Sequence, residues 1–241
     1  MTSDEAKPAP AARPASGAPD GRAGLSHLTW IPAGALVGFA VAFVFGDVVE
    51  LPADLYYALY FASVLGFLGF YVRTTALPLG QWLSRRAGAA LLAGVAVGLL
   101  MAWSVLARPA TEALSGAALA WAVLWRGLLY GAVDGLLLFA FPWTVTWRAL
   151  GAEGRGLATK VGASALSWVA ILFVTTVYHL GYGDFRSRKV VQPNVGNAIT
   201  AVATLSTAHP LASAISHVFL HVAAVVHSPR TDLFLPPHRS R

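Results

Sequence analysis

Trp121-Ala122-Val123-Leu124-Trp125-Arg126-Gly127-Leu128-Leu129-Tyr130-Gly131-Ala132-Val133-Asp134-Gly135 decides how this chain is read. The stretch lies within residues 117–141, a run that is otherwise apolar and long enough to cross a bilayer as a helix. Yet it carries a positive charge at Arg126 and a potential negative one at Asp134. Each costs roughly 2.5–3.5 kcal/mol at the centre of a membrane helix, so each calls for a partner or a use.

The same apolar character recurs along most of the 241 residues, of which 56% are hydrophobic and 12% charged. A soluble domain carries about a quarter charged residues. The deficit implies an all-α fold: a polytopic transmembrane helix bundle of about six spans. Residues 1–26 are rich in Ala, Pro and Gly and read as a disordered tail. A transmembrane helical domain follows over 27–228, with a short basic tail over 229–241.

Within that domain the apolar runs are 28–46, 55–72, 87–107, 117–141 and 157–180. Pro142 is expected to stop the fourth, because proline cannot continue the hydrogen-bond ladder. A polar loop over 181–197 then leads into 198–226, which is long for one span and short for two. The step His209-Pro210 divides that segment, which suggests a re-entrant or broken helix before the last span. Six crossings would leave both termini on one side. Lys and Arg placement puts that side in the cytoplasm, giving a multi-pass protein of the cell (plasma or inner) membrane. Arg186, Arg188 and Lys189 sit in the 181–197 loop, which this alternation places outside, against the charge bias.

The net charge is +6, but the basic residues cluster beside the spans, as membrane topology requires, and nucleic acid is excluded as a partner. With no cysteine in the chain, disulfides, thiolate metal sites and cysteine nucleophiles are excluded as well. Glycines recur four apart at Gly34 and Gly38, at Gly94 and Gly98, and at Gly127, Gly131 and Gly135. Such ridges let helix backbones approach closely where lipid gives no hydrophobic drive to pack.

Arg126, Tyr130 and Asp134 are spaced by four and share one helical face. Arg126 and Asp134 lie about 12 Å apart along the axis, too far to pair directly. His217 and His221 are also four apart on one face. Two neutral imidazoles so placed can bind a divalent transition metal such as zinc. His179 and Asp134 are the further ligands expected, although Val218 stands where the zinc-protease motif has its glutamate.

Three segments together carry a resemblance. Trp125-Arg126-Gly127-Leu128-Leu129-Tyr130-Gly131, His179-Leu180 and His217-Val218-Phe219-Leu220-His221 follow the order of motifs in the CPBP family of CAAX prenyl proteases and bacteriocin-processing membrane proteins, which this chain resembles from about residue 119 to 226. The resemblance implies an intramembrane glutamate protease scaffold with Arg126, His179 and His217 as catalytic positions. Trp121 and Ala122 stand where the family's glutamates belong, His221 replaces its asparagine, and Thr175 replaces its phenylalanine. Neither Trp nor Ala can accept a proton from water, so a conventional glutamate protease is not expected.

Three functions fit these residues. One is a CPBP-like protein that binds a partner or regulates it through a buried polar site. Another is a membrane enzyme with a rebuilt, metal-dependent hydrolase site. The third is a small transporter or lipid-handling protein. The partners implied are membrane lipids together with another membrane protein or a membrane-embedded substrate.

Overall fold

A computed structural model describes residue 24, residues 26–230 and residues 234–236. The expectations for 1–23 and for 237–241 lie outside the described residues. Every regular element is helical, with no strand among the described residues. Five helices are long and apolar enough to cross a membrane: α1 (Trp30–Val48), α2 (Ala53–Thr74), α3 (Ala87–Leu106), α4 (Gly116–Ala149) and α5 (Leu157–Leu180). They are followed by α6 (Val191–Thr200), α7 (Val202–Thr207) and the shorter apolar helix α8 (Ala212–His227).

The bundle is organised around α4. In its most apolar stretch 78% of residues are buried, against 28–39% in the other four long helices. With 34 residues it is about 51 Å long, well beyond the ~30 Å of a hydrocarbon core. Contrary to the expectation from sequence, Pro142 does not end this helix. The five residues Leu136–Ala140 form a π-helical turn, and the wider turn accommodates the proline ring before the helix resumes to Ala149. A second π-helical segment, Val123–Leu129, carries Arg126.

The last third also departs from the expected topology. His27 meets Tyr71 and Arg148 meets Thr75, so the start of α1 and the ends of α2 and α4 share one end of the bundle, here the near end. At the far end Asp47 meets Arg186, and Asp54 meets Arg126. From Val191 at the far end, α6 and α7 run without a re-entrant turn to Thr207, whose carbonyl faces Arg86 at the near end. There Ala208 adopts a left-handed conformation (φ 51°) and His209-Pro210 turns the chain into α8. This turn is tied by Thr204 and Ser213, each hydroxyl accepting from the other residue's backbone N–H at 3.0 Å. His227 then reaches the Arg108 carbonyl at the far end, at 2.8 Å. The described chain therefore finishes opposite the end where α1 begins, rather than beside it. The sequence pattern missed this because α6 starts with polar residues inside what reads as a loop.

The expected glycine ridges are the packing surfaces. A Cβ at Gly135 would lie 2.8 Å from the Ala214 Cα, and one at Gly131 would lie 3.0 Å from the Val218 Cα. On the opposite face of α8, a Cβ at Gly94 would meet the Ala212 carbonyl at 2.7 Å. Thus α8 is gripped between α3 and α4 at backbone contact, and that grip sets where its histidines fall.

Candidate functional site

The register of α8 on α4 brings His217 and His221 onto Asp134, midway along the bundle. Asp134, between the two π-helical segments of α4, is 2% exposed, and His217 and His221 are 3% and 4% exposed. The Nε2 of His217 lies 2.8 Å from Asp134 Oδ2 and 3.0 Å from the Nε2 of His221. The His221 Nε2 lies 3.8 Å from the same carboxylate oxygen. The other oxygen, Oδ1, accepts a 2.5 Å hydrogen bond from Tyr60 on α2. Asp134 thereby acquires the partners that its sequence context demanded.

This arrangement has a proton problem. The His217 Nε2 is common to both short contacts, and a ring nitrogen offers either one hydrogen or one lone pair. A hydrogen there must be shared between two acceptors, whereas a lone pair would face the lone pairs of the ionised carboxylate. One cation at the centre satisfies all three atoms together. A triangle with these sides has a centre ~1.9 Å from each atom, so an ion at the usual zinc distance of ~2.0–2.1 Å would sit ~0.7 Å off its plane. That offset suits a tetrahedral ion with a fourth position left free. The Tyr60 hydrogen bond to Oδ1 would then orient the carboxylate as an outer partner. The Nδ1 atoms of His217 and His221 are buried without an acceptor. Their rings pack instead against Phe139 and Tyr130, at centroid distances of 5.2 and 4.8 Å.

A cavity of about 450 Å³ opens onto the three groups. His179, at the end of α5, shares its wall but stands outside the triad: among the described residues only Asp134, His217 and His221 bring ligand atoms within 4.8 Å of one another. The His179 Nδ1 lies 2.7 Å from the Thr175 carbonyl. A carbonyl only accepts, so Nδ1 carries the hydrogen, which in the neutral ring leaves the lone pair on Nε2. His179 therefore lines the cavity without completing the triad.

Arg126 is not part of this site. Its Nε and a terminal nitrogen contact Asp54 Oδ1 at 2.9 and 2.8 Å, and Trp121 donates to the other oxygen at 3.1 Å. Because α4 overshoots the hydrocarbon thickness, the position that looked deep in sequence sits near the far end, partly exposed beside stacked Trp121 and Trp125.

The structure adds Tyr56 and Tyr60 to the tyrosines that the sequence places beside Asp134 and His179. Tyr60, Tyr130, Tyr178 and Tyr182 gather around the triad: Tyr130 and Tyr178 hydroxyls are 2.8 Å apart, Tyr178 and Tyr182 2.9 Å, and Tyr182 also bonds Tyr56. The available signal was the cluster Tyr56, Tyr57 and Tyr60 inside a membrane span, where hydroxyls need partners. Part of the cavity wall is apolar, with Leu100 and Trp103 on α3 and Val195 on α6 both lining it and exposed on the outer face of the bundle. In a bilayer that face meets lipid. Toward the near end, Leu137, Leu138 and Phe139 have no exposed surface and close the core beneath Asp134.

No protein family, no characterised protein and no solved structure matches this chain. What stands is an integral membrane protein, all helical, with apolar spanning helices. Its site must be read from its own geometry.

Proposed function

We propose that this membrane protein binds a divalent transition metal, zinc foremost, through Asp134, His217 and His221, and uses it to hydrolyse a membrane-embedded substrate. The convergence of three acceptor atoms around one point, with a single ring nitrogen common to both short contacts, carries this reading. Two histidines, a carboxylate and a fourth position open to a cavity are the ligand set of hydrolytic zinc sites, where the metal lowers the pKa of bound water toward neutrality. His179, with its free lone pair, holds that water or takes its proton. Leu100, Trp103 and Val195, on the cavity wall and exposed on the outer face, favour a substrate with an apolar body, arriving from the lipid.

Transport across the bundle is disfavoured by the closed apolar core beneath Asp134. A CPBP-like scaffold remains part of the proposal; its support is that His179 and His217 face one cavity, while Arg126 belongs to the Asp54 pair. The N-terminal end is proposed to be cytoplasmic. Arg73, Arg85, Arg86, Arg148, Arg155 and Lys160 sit in or beside both connections at that end, whereas at the far end the α1–α2 connection has no Lys or Arg, the α3–α4 connection has Arg108 alone, and Arg186, Arg188 and Lys189 are confined to one connection.

The test is metal analysis of the full chain purified in mild detergent. About one equivalent of zinc is expected, lost when His217→Ala and His221→Ala are combined. Folded wild-type protein that takes up no zinc, cobalt or manganese on addition overturns the proposal.

A further inference from the structure

At the near end of the bundle, far from the triad, a second and smaller pocket of about 100 Å³ is walled by Trp143, Trp147, Arg85, Arg86, Lys160 and Pro210. Its chemistry is the reverse of the first. Three cations line it, and Glu153 is the one carboxylate among them. Glu153 is already committed: it pairs with Arg85 and accepts from the Trp147 indole at 3.0 Å. Arg86 and Lys160 are left without a carboxylate partner among the described residues. Arg86 makes only a long 3.4 Å contact to the Thr207 carbonyl.

Two further observations point to an anion. Trp143 is 1% exposed, and its indole N–H is buried with no acceptor. Such an orphan donor costs about 1–3 kcal/mol unless something supplies an acceptor. In addition, the N-terminal ends of α3 and α5 abut the pocket through Arg86 and Lys160. Neither end has a side-chain cap or an acidic residue in its first turn, so the positive end of each helix dipole is unmatched. Arg86 itself is held with φ 52°, a left-handed conformation that is costly for a side chain of this size.

We infer that this pocket binds a phosphoryl group, seated between Arg86 and Lys160 and accepting from the Trp143 indole. The group is either free phosphate or the headgroup of an anionic phospholipid in the leaflet at that end. A basic pocket between helices at the membrane surface is the setting in which such headgroups are recognised. The inference is independent of the metal site.

The full chain in neutral detergent is titrated with inorganic phosphate, with dioctanoyl phosphatidate and with dioctanoyl phosphatidylcholine, following thermal unfolding. A saturable rise in Tm is expected with phosphatidate and a weaker one with the zwitterionic lipid. Saturation by inorganic phosphate at matching concentration assigns free phosphate, and a response to phosphatidate alone assigns the lipid headgroup. Combined Arg86→Gln and Lys160→Gln, the first exposed and the second half-buried, should raise the apparent Kd about tenfold or more. Trp143→Phe, which keeps an aromatic ring and removes the N–H, should act in the same direction. No saturable response to phosphate or phosphatidate refutes the site, as does a response unchanged in both variants.

Discussion

Asp134→Asn separates a metal site from a structural polar cluster. In the metal-free protein the amide fits the existing contacts: its oxygen still accepts from Tyr60, and its nitrogen donates to the His217 Nε2. The substitution also removes a buried charge, so the stability of the metal-free protein should change by no more than about 1 kcal/mol. Metal binding should behave otherwise. An amide is a poor zinc ligand, and losing even an outer hydrogen bond typically costs 10–100-fold in affinity, so at least about 100-fold is expected for the ligand itself. Zinc at a free concentration 100 times its Kd stabilises the wild type by about 2.7 kcal/mol. For a chain of this size that is a Tm rise of roughly 5–10 °C, and the Asp134→Asn variant should lose most of it. The assay is thermal unfolding in detergent, with and without a buffered zinc concentration, alongside metal analysis. The reasoning fails if the variant binds zinc and is stabilised like the wild type. It fails equally if the metal-free variant is destabilised by the roughly 3–5 kcal/mol typical of breaking a buried ion pair, for then the carboxylate serves packing alone.

Other outcomes follow from the same geometry. Arg126→Ala should cost at most about 1 kcal/mol, as for partly exposed ion pairs, and leave zinc content unchanged; loss of metal would tie Arg126 to the site after all. Gly135→Ala should destabilise by about 1–3 kcal/mol and weaken metal binding, because its Cβ would strike the Ala214 backbone at 2.8 Å and push α8 off α4. Gly66→Ala, with nothing within 4 Å, should instead be neutral or slightly stabilising, and equal effects at the two positions would contradict the packing described. Since the chain has no cysteine, Ser84→Cys and Ser187→Cys give clean labels at the two ends. In intact cells an impermeant maleimide should label the Ser187→Cys variant only, and labelling of the Ser84→Cys variant instead would invert the proposed orientation.

Much of the site was legible in part and none of it in full. His217 and His221 were readable as one face because the helical period fixes residues four apart. Asp134 was readable as needing a partner because hydrocarbon offers none. The glycine spacing announced close helix approach, and Gly131 and Gly135 provide it. Pro142 misled, since its effect depends on the turn before it, and the π-helical Leu136–Ala140 leaves no mark in composition. Arg126 misled because depth was counted from the start of an apolar run, whereas α4 is longer than the membrane is thick. His179 was placed with the ligands, and the structure puts it on the wall of their cavity.

The sequence by itself therefore determined the class: helices apolar enough to span a membrane, their close-packing ridges, and a few polar groups that had to be satisfied internally. Only the tertiary structure decided the pairings. Asp134 meets His217 across 83 residues of chain and Tyr60 across 74, while Arg126 meets Asp54 across 72. The helical period fixes the angle of a side chain about its own axis but not which neighbour stands opposite. In a soluble bundle the apolar stripe would name the inward face. In a chain apolar on every side it does not, and the inward faces emerge only when the helices have packed.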